Sequence, residues 1–329
     1  MAQNSTCRRD FLKMAGCAAL TIKGANDRVN LAFIGAGRMG AANIGYAAKV
    51  PGFEIVAVCD VDHFREILAD PSIDAVCIST RDYWRAQMTV EACNAGKDVY
   101  VEMPAFVHME EGVKMVEAAR KYKRVVQAGT VERSGALVQK AREMVQSGAL
   151  GEVRFCRAFQ AATTDGGVHL MDIVQFAFDE AMPVSITAQG NAPDTMLATF
   201  RYPGFVASYE RRPGNAYGTA FHGTKATLMV NRVADTHVSH WKNFLECVRT
   251  RGKPISEIET CVRSTATCVL ADIAMRRGMT LDWDEGNWRS NNDEMVSFMR
   301  RSAGRVVAGE RAKPYGEVGR EVLAGRRGA

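Results

Sequence analysis

Nothing in this 329-residue chain runs apolar for the roughly 20 residues that a helix needs to cross a bilayer, so a multi-span membrane protein is excluded. Nine cysteines form no C-x-x-C pair, and an odd number closes no complete disulfide framework, so neither a zinc site nor a disulfide-stapled fold is indicated. Cys59 and Cys77 lie inside apolar runs and read as small buried hydrophobes of a chain that folds in a reducing compartment. There is no internal repeat and no low-complexity linker. The body also lacks positive charge. The formal net charge is +5, yet residues 300–329 alone hold eight Arg or Lys against three Glu, and residues 1–28 are basic as well. What lies between is net negative, which argues against a nucleic-acid surface on the folded part. The 47% hydrophobic and 24% charged residues that are present suit an ordinary globular protein of about two domains.

At the N-terminus, Cys7-Arg8-Arg9-Asp10-Phe11-Leu12-Lys13 precedes the short apolar stretch Met14–Ile22. A twin arginine in this position resembles a Tat export signal. Residues 1–27 are therefore set apart from the fold, and a periplasmic or exported location is expected; a decayed signal would leave the protein cytoplasmic. The Gly/Arg-rich stretch 301–329 is expected to be a basic, solvated tail.

From Val29 the pattern is apolar strand, glycine turn, helix, and it repeats. Apolar runs at Phe53–Val58, Asp74–Ser79, Asp98–Glu102 and Arg124–Gly129 alternate with helical patterns at Trp84–Ala95, Val107–Tyr122 and Ser134–Ser147. Such alternation predicts an α/β, doubly wound parallel sheet over residues 28–150. After Gly151 the runs lengthen and alternate, at Glu152–Ala162, Val184–Gly190, Met196–Tyr202, Phe205–Arg211 and Thr219–Val230. With helices near Val168–Phe178, His240–Arg249 and Glu257–Arg277, residues 151–300 predict a second, α+β domain built on a mostly antiparallel open sheet.

Gly35-Ala36-Gly37-Arg38-Met39-Gly40 is a G-x-G-x-x-G between a predicted strand and a predicted helix, the setting in which this pattern binds a dinucleotide pyrophosphate. Asp60 closes the second strand, where a carboxylate binds a ribose 2′-hydroxyl and repels a 2′-phosphate. NAD is thus favoured, with NADP left open by Arg38.

These features, with Val56–Asp60, Ile78-Ser79-Thr80, Val101-Glu102-Met103-Pro104, Gly166–Asp172, Phe221–Leu228 and Asn243–Arg249, resemble the Gfo/Idh/MocA oxidoreductases, and with the twin arginine their exported branch. The resemblance implies hydride transfer between NAD(P) and a sugar or cyclitol, and a homo-oligomer formed through the second sheet. It implies Gly35, Gly37, Arg38, Met39, Gly40, Asp60, Ser79, Thr80, Trp84, Glu102 and Pro104 at the cofactor. Asp165 and His169 match the family's Asp-x-x-x-His acid/base pair, and Asp172 its acceptor for a substrate hydroxyl.

The chain departs from that pattern in four places. Met103 stands where the family's Glu-Lys-Pro motif has its lysine, removing a donor to a developing alkoxide. Arg81 and Arg85 replace neutral or histidine positions. Only Val61–Asp74 separate the second and third strands, too few for a full crossover with its flanking turns, so the adenine side of the cofactor site is expected to be incomplete. The loop between Phe155 and Asp165 is too short for the family's substrate lid. Two alternatives follow: a weakened or inactive member that binds nucleotide or sugar, and an NAD-dependent glycosidase.

Overall fold

The computed structural model describes residues 28–161, 167–190, 194–231, 236–284 and 289–290. The twin-arginine segment, Asp165 and the basic tail lie outside the described residues.

The first sheet holds five parallel strands in the order β2-β1-β3-β4-β5. They are β1 (Val29–Ile34), β2 (Phe53–Cys59), β3 (Ala75–Ile78), β4 (Asp98–Val101) and β5 (Val126–Ala128). β3 and β4 are buried at every position, as strands covered on both faces must be, and their sequences are correspondingly apolar. The connecting helices are α1 (Arg38–Ala47), α2 (Phe64–Ala69), α3 (Asp82–Asn94) and α4 (Met109–Lys121). The connection after Asp60 is short. A single 3₁₀ turn, Val61–His63, and the six-residue α2 bridge β2 to β3, and the sheet stops at β2, whose burial is only partial.

α5 (Ala136–Gln146) leads into the second sheet, of order β11-β10-β6-β9-β8-β7-β12-β13. Its strands are β6 (Val153–Gln160), β7 (Ser185–Gln189), β8 (Met196–Arg201), β9 (Val206–Arg211), β10 (Gly218–Gly223), β11 (Thr227–Asn231), β12 (Leu281–Asp284) and β13 (Arg289–Ser290). All neighbours pair antiparallel except β6 and β9. One face is packed by α6 (Gly167–Ala177) and α8 (Ile258–Arg277). Cross-strand register puts Phe155, Leu197 and Met229 together on the opposite face, where all three are exposed.

Two expectations need correcting. The run Thr219–Val230 is not one strand: it folds back at Gly223, where a Cβ would sit 2.1 Å from the Leu150 carbonyl oxygen, and the amides of Lys225 and Ala226 donate to that same oxygen. Nor does the helix after it belong with the second sheet. α7 (His237–Thr250) packs on the first sheet beside α1. Trp241, fully buried, stacks on Tyr100 at 4.2 Å and meets Phe33 and Phe53, so it fills the face that α1 alone leaves bare.

His240, one position away, is fully buried between the two halves. Its Nε2–H donates to the Ala128 carbonyl at 2.7 Å, which leaves Nδ1 to accept from the Ser134 hydroxyl at 2.7 Å. Burial pushes its pKa down to about 4 from 6.5, the Ala128 carbonyl only partly opposing this. The imidazole is therefore neutral in the fold, while the unfolded chain protonates it below pH ~6.5. Stability present above that pH is expected to fall as pH drops towards ~4, by up to about 3 kcal/mol. Unfolding free energies across this window, with His240→Gln as a control of flatter profile, check it.

Candidate active site

The carboxyl ends of β1 to β4 converge on one rim, the side on which open α/β sheets bind ligands. Gly35 turns the chain off β1 at φ +96°, and a Cβ there would come within 2.8–2.9 Å of the Ser79 backbone. At Gly40 a Cβ would strike the Gly35 carbonyl oxygen, so this glycine lets α1 lie against the turn. Gly37 differs: a Cβ would meet nothing within 4 Å. It is the extended N-cap of α1, no side chain caps the helix, and Ala36, Gly37 and Arg38 are exposed, with Met39 half-buried beside them. The loop is thus an open cradle at a bare helix N-terminus, the shape and polarity a pyrophosphate requires.

Asp60 ends β2 next to this loop, since the Gly35 amide donates to the Cys59 carbonyl at 2.9 Å. The carboxylate is exposed, and its Oδ1 also accepts from the Val61 amide at 2.8 Å. Behind the loop lies a residue that pattern reading missed. Asn43, fully buried on α1, donates to Ser79 Oγ at 3.1 Å and Glu102 Oε1 at 2.7 Å, tying the ends of β3 and β4 to the glycine-loop helix. A polar residue among alanines on a helix packed against a sheet was the available signal. Burial raises the Glu102 carboxyl above the usual range; Asn43 and, by charge, Arg85 oppose this. Thr80 is buried at the end of β3, and Trp84 on α3 rests half-buried against Phe64 of α2. The glycine loop, the end of β2 at Cys59, Ser79 and Glu102 are thus brought together on one rim, and the cradle fits NAD.

Beyond Glu102 the chain turns through a cis Met103–Pro104 peptide into a cavity of about 440 Å³ between the two sheets. Met103 lines it, with its sulfur 3.3 Å from Cys261 Sγ, so the wall where a lysine was expected is thioether. Arg85 donates to the Thr80 and Pro104 carbonyls at 3.0 and 2.8 Å. The opposite wall comes from β6, α6, β8, β9 and α8. It includes Gln160, whose amide donates to Tyr209 Oη at 2.7 Å, and Arg211; neither the tyrosine nor Arg211 carried a motif that could have flagged it. On α6, Gly167, Val168 and Met171 form the wall, and His169 is half-buried next to them without lining it. Only residues 161–166 join β6 to α6, so the connection is as short as expected.

Asp172 does not face the cavity. It is fully buried, and both oxygens accept from Arg133, at 2.7 and 2.8 Å, while Ser264 Oγ donates to Oδ1 at 2.6 Å. Arg133, 1% exposed, also pairs with Glu180. Burial alone would lower its pKa, but the two carboxylates override this and raise it. Its carboxylate is sealed from solvent and held by Arg133 and Ser264, and it is not among the residues that line the cavity, so a substrate hydroxyl there does not reach it.

Residues 29–130 match the family model described as an oxidoreductase family with an NAD-binding Rossmann fold. This Rossmann domain belongs to the Gfo/Idh/MocA family. Relatives of the Gfo/Idh/MocA domain include a glycosyl hydrolase family 109 protein of Shewanella baltica, 26% identical over 201 residues, covering 44% of each chain. Another is inositol 2-dehydrogenase 3 of Saccharopolyspora erythraea, 26% identical over 183 residues, covering 46% of this chain and 54% of that one. The match thus spans about half the length of these curated relatives. Among solved structures, scyllo-inositol dehydrogenase from Lactobacillus casei with bound NAD(H) and scyllo-inositol superposes with a TM-score of 0.68 at 18% identity, over 78% of this chain and 99% of that one, and shares the whole two-sheet fold. Among the described residues no helix is long and apolar enough to cross a membrane, and no cluster of metal-ligating side chains occurs.

Proposed function

We propose that this protein is an NAD-dependent oxidoreductase acting on a hydroxyl of a small polyhydroxylated molecule in the cavity beside Met103–Pro104. The observation that carries the reading is the junction itself: the glycine cradle and the cavity lie on one rim, joined through Asn43 and Glu102. NAD supplies a hydride acceptor when bound. Gly37 and the bare end of α1 hold its pyrophosphate, and Asp60 takes the ribose. His169, half-buried beside the Val168 and Met171 wall, is the histidine nearest in sequence to that wall and the candidate acceptor of the proton released from the substrate hydroxyl, with Asp165 its motif partner in the sequence. Arg85, pinned by two carbonyls, fixes the turn through Pro104. The exposed outer face carrying Phe155, Leu197 and Met229 supports pairing with a second copy.

NADH titration followed by tryptophan quenching, then a screen of sugars and cyclitols by nicotinamide absorbance, tests this. Binding in the micromolar range and turnover with at least one polyol are expected. His169→Asn should lower kcat by about 10²–10⁴ and leave NADH affinity unchanged. No binding at millimolar NADH would end the reading. Met103 favours a second reading on its own: a weakened enzyme that binds cofactor and turns over slowly. The glycosidase alternative is supported by the glycosyl hydrolase relatives, and release of nitrophenol from aryl glycosides with NAD present would separate it.

A further inference from the structure

We infer that the cavity takes a substrate bearing a carboxylate, a sugar acid rather than a neutral sugar or cyclitol, and that Arg211 is the residue that selects it. The inference rests on the dehydrogenase reading of the same site and adds the substrate class.

Arg211 is the last residue of β9, half-buried, and lines the cavity. Its Nε is sealed from solvent and has no hydrogen-bond partner, and no carboxylate pairs with its guanidinium. A buried charged donor left unmet is costly, and native proteins almost always meet it. The adjacent acid cannot do so: Glu210 points to the other face of the strand, where both its oxygens accept from Arg157 at 2.6 and 2.7 Å. Across the cavity, Arg85 is fixed by two carbonyls and lies within the field of Glu102 and Asp82. The acids that line the space are already engaged. Asp272 pairs with Arg276 at 2.7 Å, and Asp82 accepts from the Tyr83 amide at 3.0 Å.

Among the described residues the lining includes Arg81, Arg85 and Arg211 beside the carboxylates of Asp82 and Asp272. A guanidinium edge is a planar fork that meets the two oxygens of a carboxylate. Met103, Met171 and Phe200 supply apolar surface for the body of the molecule, and 440 Å³ is ample for a hexose-sized acid. The chain has in effect lost a cation at Met103 and carries others on the rim and far wall, so the charge that remains recognises the substrate's acid group rather than its reacting oxygen.

The test is calorimetric titration of gluconate, glucuronate, glucose, myo-inositol and glucose 6-phosphate into the protein saturated with NADH. At least one of the two acids is expected to bind about tenfold or more tightly than the neutral compounds. The buried Arg211 Nε has no hydrogen-bond partner to lose, so Arg211→Met should fold normally; it is expected to bring acid and neutral affinities within about twofold while NADH still binds as tightly as to wild type. Arg211→Lys should restore part of the preference. Equal affinity of acid and neutral compounds, a stronger response to the phosphate ester, or an undiminished preference in Arg211→Met each overturns the inference. Failure of NADH to bind would instead count against the dehydrogenase reading, and the same titrations into cofactor-free protein would still decide the acid preference.

Discussion

Asp172→Ala is expected to lower the unfolding free energy by about 3–5 kcal/mol, the usual cost of removing one member of a buried ion pair. The loss is large because of what stays behind. Arg133, 1% exposed, keeps Glu180 and the Ile255 carbonyl but loses the carboxylate that faces its Nε and Nη2, and Ser264 loses its shorter bond. Asp172→Asn keeps the shape and an acceptor and should cost less. The double change Asp172→Leu with Arg133→Met removes both charges and should also cost less than Asp172→Ala alone, because desolvation no longer has to be offset. Denaturant melts of the four proteins check this. If Asp172→Asn were as stable as wild type and raised only a substrate KM, the carboxylate would be acting on substrate and the placement inside the protein would be wrong.

Met103→Lys is expected to raise kcat by about 10²–10³, the usual worth of one positioned donor at a developing oxyanion. Met103 already lines the cavity, so a lysine stem can follow the same wall and present its ammonium to the space, at the cost of the sulfur contact with Cys261. The change should appear in kcat more than in KM, since the interaction forms as charge develops. Wild-type turnover already fast and unchanged by the substitution would mean chemistry that does not use a lysine; a gain would mean a scaffold still built for one.

The two outcomes bear on what the sequence could reveal. The glycine loop was legible because its residues answer to local rules: a turn, a cradle and a helix start within six positions. The start of β1 at Val29 was legible because a strand covered on both faces is mostly apolar. Asp172 was misplaced because the motif fixes spacing along the chain, and spacing does not say which face of α6 meets the cavity. Its partner Arg133 sits in a 3₁₀ turn with no periodicity to mark it. Arg211 was invisible for a different reason: a strand-end arginine looks solvated until the wall opposite is known. The hairpin of β10 and β11 was hidden because its turn, Thr224-Lys225, carries no hairpin dipeptide and is held instead by Leu150, far away in the chain.

The position of α7 has a consequence for how the protein is made. The first sheet's strands end at Ala128, yet the tryptophan that closes one of its faces is at 241. A ribosome that has released the first 150 residues has released a sheet with bare aromatics, Phe33, Phe53 and Tyr100, and no means to cover them. That half waits through about a hundred further residues, and long-range closure of this kind is slow. The cofactor-binding unit is thus discontinuous: a fragment ending at 150 would aggregate, and a chain halted before 250 would be finished at neither sheet.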